Sequence, residues 1–491
     1  MLYLSLLISG ILLGSVYALS SLGIVLTYKT VGIFNFAYGG VAMFCGYVFW
    51  QLRDQWHLHQ WLSLPILLLV VAPLVGVALE AVFRPLAAAS AEVQIVVALG
   101  ILSFIITVVP VIFGGSEQSL SSLFPSGGFK LGHGGLTITW DNLFTFILVG
   151  VLALLLYVLL RRTRLGMATR AVVDNRDLAE MMGVSSSLIG RVAWIVSVVF
   201  AAIAGILLSS QQGLNTTSLL ALTLYSFAPA VIGRLTSFPL AGVGALALGV
   251  VQSFLGFYSS SGLLAQVEGS IPYLALFVVL VVYGNQLKEV RSSLRAPVVS
   301  TISGSRLRGV VQGVGLAVVA GVVAPQLLSG AIVRDLSDAM AYAVVALTLV
   351  VVTGWTGQIS IAQMSFAGVG AFAAAHVAGS HPGMFFPGLL LGMVVALPLG
   401  LLVGLPSLRL SGLFLGLATM AFALIMDNLV FTQTSISGGL TGITLAKASI
   451  FGSDLSTPAG EFYLCLAFLT VAAVGAYLLR RSPVGRRLQM V

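Results

Sequence analysis

Charge and cysteine are scarce in this sequence. Only 8% of its 491 residues are charged, with 15 acids against 23 basic residues, and it holds two cysteines. A soluble domain is about a quarter charged, so a water-facing surface of ordinary composition cannot be built from this chain. Cys45 and Cys465 both lie in apolar stretches, which argues against a disulfide framework or a cysteine-based metal centre. Enzyme signatures are missing as well. No GxxxxGK[ST] loop surrounds Lys29, Lys130, Lys288 or Lys447, so the chain is not itself an ATPase, and neither HExxH nor GxSxG occurs. No catalytic residue, metal ligand or cofactor is expected.

What is present is apolar: 58% of the residues are hydrophobic and the mean hydropathy is +1.08. A spanning helix needs about 20 mostly apolar residues. Such stretches recur from Leu4 to Leu479 with short polar breaks, about 14 of them at that length. The expected fold is therefore all-α, a polytopic integral membrane protein whose solvent is the lipid bilayer. Residues 4–26 lack a basic segment before them, so the first apolar run reads as an uncleaved span rather than a signal peptide.

The net charge of +8 does not point to nucleic acid, because the basic residues sit in short loops and form no continuous patch with exposed aromatics between them. Topology explains it better. Arg161, Arg162, Arg164 and Arg170 share one loop, Lys288, Arg291, Arg295, Arg306 and Arg308 another, and Arg480, Arg481, Arg486 and Arg487 lie near the C-terminus. The positive-inside rule puts all three in the cytoplasm. Roughly four spans separate the first two clusters and roughly six the last two, and both counts are even, as they must be. Five spans before Arg161 then place the N-terminus outside. Lys29, Arg84 and Arg409 fall inside, and His57, His59, His376 and His381 outside.

Between Asn285 and Gly309 the apolar pattern lapses into NQLKEVRSSLRAPVVSTISGSRLRG. This reads as a cytoplasmic basic linker, 285–308, between a first unit, 1–284, and a second, 309–491. Internal repetition supports the division. YALSSLGIVLTYKTVGIFNFAYGGVAMFCGY follows Val16 and YAVVALTLVVVTGWTGQISIAQMSFAGVGAF follows Ala341, and they align without gaps. Tyr17 meets Tyr342, Gly32 meets Gly357, Asn35 meets Ser360 and Tyr38 meets Gln363. Further on, LLRRTRLG ending at Gly166 repeats as LLRRSPVG ending at Gly485. The first half continues for about five spans' worth of chain beyond Gly166, less its loop, so the second half is expected to be incomplete.

Several motifs in order resemble the two permease subunits of bacterial branched-chain amino-acid ABC importers, the Liv family, with an H-type unit followed by an M-type unit. The H-type resemblance rests on GIFNFAYGG (32–40), RPLAAASAEVQIVVALG (84–100), RLGMATRAVVDNRDLAEMMGV (164–184) and FAPAVIGRLTSFPLAGVGALALG (227–249). The M-type resemblance rests on GWTGQISIAQMSFAGVGAF (354–372), LRLSGLFLGLATMAF (408–422) and SGGLTGI (437–443). It implies a permease in the bacterial inner membrane, powered by two separate ATP-binding subunits and supplied by a periplasmic or extracellular solute-binding protein. Tyr38 and Gln363 stand where the family usually has histidine, and Gly40 and Leu424 where it usually has glutamate. Substrates other than leucine, isoleucine or valine, such as urea and short amides, therefore stay open.

Two groups of residues are candidates for function. Asp174, Asn175, Asp177, Leu178, Ala179, Glu180, Met181, Met182 and Gly183 can form a short helix closed by Gly183. The resemblance makes it the coupling helix that docks in the ATP-binding subunit, through Asp174, Asp177, Ala179, Glu180, Met182 and Gly183. The bland alternative is an amphipathic helix on the membrane surface, but such helices usually carry a basic polar face. Asn35 and Ser360 follow the glycine-bearing breaks Val31-Gly32 and Thr356-Gly357, and broken helices line binding sites in many transporters. With Tyr38, Gln363 and Asp427 they are the pathway candidates, although capping the next helix would use the same residue types. Asp427 and Glu80 are costly acids in or beside apolar spans, and Glu80 is expected to pair with Arg84 at helical spacing. Gly242, Gly244, Ala245, Ala247 and Gly249 read as a small-residue packing face. An ion-coupled secondary transporter would equally suit repeats and broken helices. The scarcity of membrane acids counts against it, and the lack of polar constellations counts against a membrane-embedded enzyme.

Overall fold

The computed structural model describes residues 2–114, 117–124, 127–131, 136–258, 263–284, 321, 323, 325–379, 381–410, 412–445, 449–450, 453–455 and 457–488. The chain divides into two units, Met1–Ser292 and Ser293–Val491, and the linker expected at 285–308 lies outside the described residues.

The first unit runs α1 (Leu2–Val31), α2 (Tyr38–Trp50), α3 (Gln60–Phe83), α4 (Ala91–Phe113), a hairpin of β1 (Gly128–Leu131) and β2 (Leu136–Thr139), α5 (Trp140–Arg162), α6 (Arg164–Asp174), α7 (Arg176–Met181), α8 (Ser186–Gln212), α9 (Thr216–Ile232), α10 (Phe238–Tyr258) and α11 (Leu263–Tyr283). In lipid every backbone amide must be satisfied within its own element, which makes long apolar runs helical. From Gly14 to Tyr28 every residue of α1 is buried. A helix apolar on all sides belongs at the centre of its bundle, and α10, α8, α9 and α5 pack around α1.

The tightest of these contacts is backbone on backbone. A Cβ added at Gly249 of α10 would lie 2.4 Å from both the Gly10 carbonyl oxygen and the Gly14 amide nitrogen of α1. Only glycine permits that approach. The small-residue face expected on α10 is thus divided: Ala245 and Gly249 meet α1, Gly244 meets Ile232 of α9, a Cβ on Gly242 would meet nothing within 4 Å, and Ala247 is exposed.

The second unit runs α12 (Gly330–Thr356), α13 (Gln363–Ala378), α14 (Phe385–Ser407), α15 (Gly412–Phe431, its last turn π-helical from Met426), a two-residue hairpin (Ser449–Ile450 with Ser453–Asp454), α16 (Pro458–Arg481) and α17 (Pro483–Leu488). Here α12 packs on α16 and α13 on α14. The latter pair also meets through glycine, a Cβ on Gly392 lying 2.4 Å from the Gly370 carbonyl.

The fold is all-α and crosses the membrane repeatedly, with strands in the described residues confined to those two hairpins. Among the described residues ten helices are long and apolar enough to span a bilayer, against about 14 read from sequence at the usual span length. Part of the difference is physical. The apolar helices α2 and α13 are 13 and 16 residues long because each starts after a backbone break, and the apolar parts of α9 and α11 are also short of spanning length. Glu80 departs from expectation. It is buried, and its carboxylate lies 3.6 Å from Nε of Arg191 on α8, so the acid ties two helices together instead of pairing with Arg84 on its own.

Candidate functional site

The loop after Arg162 is organised by three successive caps. The Thr163 hydroxyl accepts the Gly166 amide (3.2 Å) and starts α6. Asn175 Oδ1 accepts the Leu178 amide (3.0 Å) and starts α7. The Ser185 hydroxyl accepts the Leu188 amide (3.3 Å) and starts α8. Each satisfies an amide that the first turn of a helix leaves free. Gly183 ends α7 at φ +84, and the Gly183 and Val184 amides return to the carbonyls of Glu180 and Ala179 at 3.0 Å each. This is the paired closure that a left-handed residue after a helix allows.

The short helix differs from its expected extent. Asn175 is extended, at φ −154, so Asp174 closes α6 and the separate helix begins at Arg176. Its one buried side chain, Ala179, packs with Val172 of α6 and Ile189 of α8, so Ala179 anchors the helix from beneath. The outer face is apolar and open: Leu178 is 58% exposed, Met181 83% and Met182 79%. Asp174 and Asp177 are exposed and form no ion pair among the described residues.

Glu180 is held to the base of α8. Its carboxylate accepts from the Ser186 hydroxyl and from Arg176 Nε (3.0 Å), and Arg176 Nε also reaches the Ser186 oxygen at 3.1 Å. The Ser186 hydrogen bond, and then the Arg176 guanidinium, hold the Glu180 carboxyl below the usual carboxylate range. Arg176 and Ser186 were not singled out from sequence. The spacing of Arg176 and Glu180, one helical turn apart, was the available signal.

The second unit starts the same construction. The Ser482 hydroxyl accepts the Gly485 amide at 3.1 Å, α17 begins at Pro483 as α6 begins at Arg164, and Gly166 and Gly485 are both buried.

The paired breaks also occupy matching positions. Gly32 has φ +77 and Gly357 φ +66, and helix resumes at Tyr38 and at Gln363. Their surroundings differ. In the first unit Asn35 is buried and its Oδ1 accepts the Ala37 amide (3.0 Å), a local turn that caps the break. Phe34, Phe36 and Phe227 close over it with ring centroids 4.6 to 5.5 Å apart. Tyr38 is fully enclosed against Gly23 of α1, with its hydroxyl beside Ser20. In the second unit Ser360 and Gln363 are half-buried, and the Thr419 hydroxyl of α15 accepts the Ile361 amide at 3.0 Å. Asp427 is exposed in the π-helical turn of α15.

One polar cluster in the first unit was not singled out from sequence. The buried Tyr17 hydroxyl donates to Gln252 Oε1 (3.1 Å), and the Tyr17, Tyr225 and Tyr273 rings follow one another at 5.3 and 5.8 Å. Glu268 is close enough to act on Tyr17 and Tyr225 and rests its carboxylate against Gly256. Tyr17 and Gln252 are 235 residues apart, so only the fold brings the cluster together.

Residues 6–284 and 331–491 match the family described as the permease component of branched-chain amino acid transport systems, one stretch in each unit. The chain is 28% identical over 264 residues to the high-affinity branched-chain amino acid transport system permease protein BraD of Pseudomonas aeruginosa, covering 51% of this chain and 86% of that one. It is 27% identical over 292 residues to LivH of Escherichia coli, the permease protein of a transport system of the same description, covering 57% and 93%. To LivM of Escherichia coli, likewise a permease protein of such a system, it is 31% identical over 165 residues, covering 33% of this chain and 39% of LivM. No solved structure matches the chain. Two matched units and relatives of both the H and the M type agree with a fused pair, and the chain belongs to the branched-chain amino acid transport system permease family.

Proposed function

We propose that this chain is the translocating component of an ABC importer that carries branched-chain or similar small amino acids across the bacterial inner membrane. ATP is hydrolysed by two separate subunits, and a periplasmic or extracellular binding protein delivers the solute. The mechanism is alternating access. The observation that carries the proposal is the 163–185 loop, a short helix pinned by caps and by Ala179 that presents Leu178, Met181 and Met182 outward. An apolar patch of this kind on a rigid mount suits a protein groove. The exposed acids Asp174 and Asp177 beside it favour a protein partner over an anionic membrane surface.

The orientation follows from charge. With Arg161, Arg162, Arg164 and Arg170 in the cytoplasm, the N-terminus lies outside and the end at Val491 inside. On this reading the units are 1–284 and 309–491, joined by a cytoplasmic linker at 285–308. Asn35, Tyr38, Ser360, Gln363 and Asp427 remain the proposed pathway residues. The cluster about Glu268 joins them, because an acid within a membrane helix is a functional candidate by default.

The test is capture of the cognate ATP-binding subunits by the purified chain. The intact protein retains them, and Met181→Glu with Met182→Glu releases them while the chain stays folded. Equal capture by both would remove the coupling role.

A further inference from the structure

Between α1, α5, α6 and α10 lies a cavity of about 670 Å³, within the size range of ligand sites. Its wall is apolar over most of its length, built by residues such as Leu22, Leu26, Val149, Leu156 and Leu246. Gly150 and Gly242 widen it, since a Cβ at either would meet nothing within 4 Å. At one end stand Lys29, Arg161 and Arg170. Among the described residues the ion pairs are Arg176 with Glu180 and Arg191 with Glu80, so none of these three cations is in direct contact with a carboxylate; Asp174 acts on Lys29 only from a longer range. Their contacts are with neutral groups. Lys29 donates to the Thr236 carbonyl (3.0 Å) and lies over the Phe238 ring, Arg161 stacks on and bonds to Tyr157, and Arg170 Nε lies 3.4 Å from the Gly166 carbonyl.

A long apolar slot does not suit a zwitterionic amino acid, whose two charges would face hydrocarbon with no counter-group along the wall. Water is no better matched, because the wall offers few polar partners. An acyl chain fits the slot, and a phosphate at the mouth completes it: three cations at one end of an interhelical pocket are the complement of an anionic headgroup, and guanidinium binds phosphate in a two-pronged fashion. We propose that this cavity is a binding site for one anionic phospholipid, its acyl chain between α1 and α5 and its phosphate held by Lys29, Arg161 and Arg170. Arg170 is on α6, and Lys29 and Arg161 are on the helices α1 and α5 that pack against it, so an occupying lipid braces the loop that carries α7. The cytoplasmic leaflet follows from the proposed orientation, whereas the lipid contact itself does not depend on it or on any ATP-binding partner.

The test uses the full chain purified into nanodiscs made of phosphatidylcholine with a minor share of phosphatidylglycerol, followed by native mass spectrometry of retained lipid. Phosphatidylglycerol is expected to be retained selectively, and Arg161→Gln with Arg170→Gln to weaken that retention by at least about tenfold. Gly150→Leu, at a position where an added Cβ meets nothing within 4 Å, places its side chain in the slot and is expected to lower retention with no change in melting temperature. Equal retention of the two lipids by the intact chain, or unchanged selectivity in the double variant, would overturn the proposal. Competition by soluble glycerol phosphate as effective as that by the lipid would also overturn it, by showing a small-anion site that ignores the apolar slot.

Discussion

Gly166 and Gly485 hold the same place in the two units: each donates its amide to the hydroxyl three residues before it, Thr163 at 3.2 Å and Ser482 at 3.1 Å. Each also lies against the end of the preceding helix. A Cβ would stand 2.2 Å from the Leu160 carbonyl oxygen in the first unit and 1.9 Å from that of Leu479 in the second. The sharp turn from spanning helix into loop is therefore possible only with glycine.

Gly166→Ala is accordingly expected to displace α6 and cost about 1–3 kcal/mol, the usual range for forcing a methyl into a packed site. Limited proteolysis checks it, with cleavage between Arg164 and Ser185 accelerated in the variant. Gly150→Ala, at a position where a Cβ meets nothing within 4 Å, serves as the neutral control.

The Gly249 contact is stricter, because backbone meets backbone and neither side can yield. Gly249→Leu is expected to separate α1 from α10 and abolish recovery of monodisperse protein in detergent. Gly242→Ala on the same helix, where a Cβ meets nothing within 4 Å, should be recovered normally.

Much of this was legible in the sequence, for reasons that particular residues make plain. The breaks at Gly32 and Gly357 were visible because a left-handed turn between apolar runs needs glycine, and the repeat doubled the signal. The stop at Gly183 was visible on the same ground. Asp174 was misplaced because Asn175, a strong N-cap type, divides what looked like one helix. Ala179 was read as part of the docking face, yet on a helix of six residues only tertiary packing decides which side is covered. Glu80 found Arg191 over Arg84 because burial between α3 and α8 brought a distant cation closer than the one on its own helix. The Tyr17, Gln252 and Glu268 cluster left no local trace at all.

Acid should loosen the 163–185 loop. Ser186 and Arg176 hold the Glu180 carboxyl below its ordinary range, so the folded loop favours the ionised form. That contribution is present above the ordinary glutamate value of about 4.3 and is lost as pH falls through the lowered folded value. A spin label at Met182→Cys is expected to be immobilised at neutral pH and mobile below that transition. Ser186→Ala shifts the transition to higher pH, and Glu180→Gln leaves the label mobile throughout.

Across the second break, Thr419→Val removes the hydroxyl that accepts the Ile361 amide. An amide left without its partner costs about 1–3 kcal/mol, so the variant is expected to melt earlier and to expose the 357–362 segment to hydrogen exchange. Thr419→Ser retains the bond and restores both.

Glu268→Gln should separate the proposed pathway role from the proposed coupling role. Solute uptake is expected to fall more than about tenfold, in line with loss of a charged hydrogen-bonding group, while capture of ATP-binding subunits through α7 is unchanged.

The most direct test of the central claim is uptake of labelled leucine by proteoliposomes holding this chain with the two ATP-binding subunits and the binding protein proposed for it. The expected result is accumulation that requires ATP and the binding protein, persists when ion gradients are collapsed, and is abolished by Met181→Glu with Met182→Glu. Accumulation driven by an ion gradient with the ATP-binding subunits left out would contradict the account.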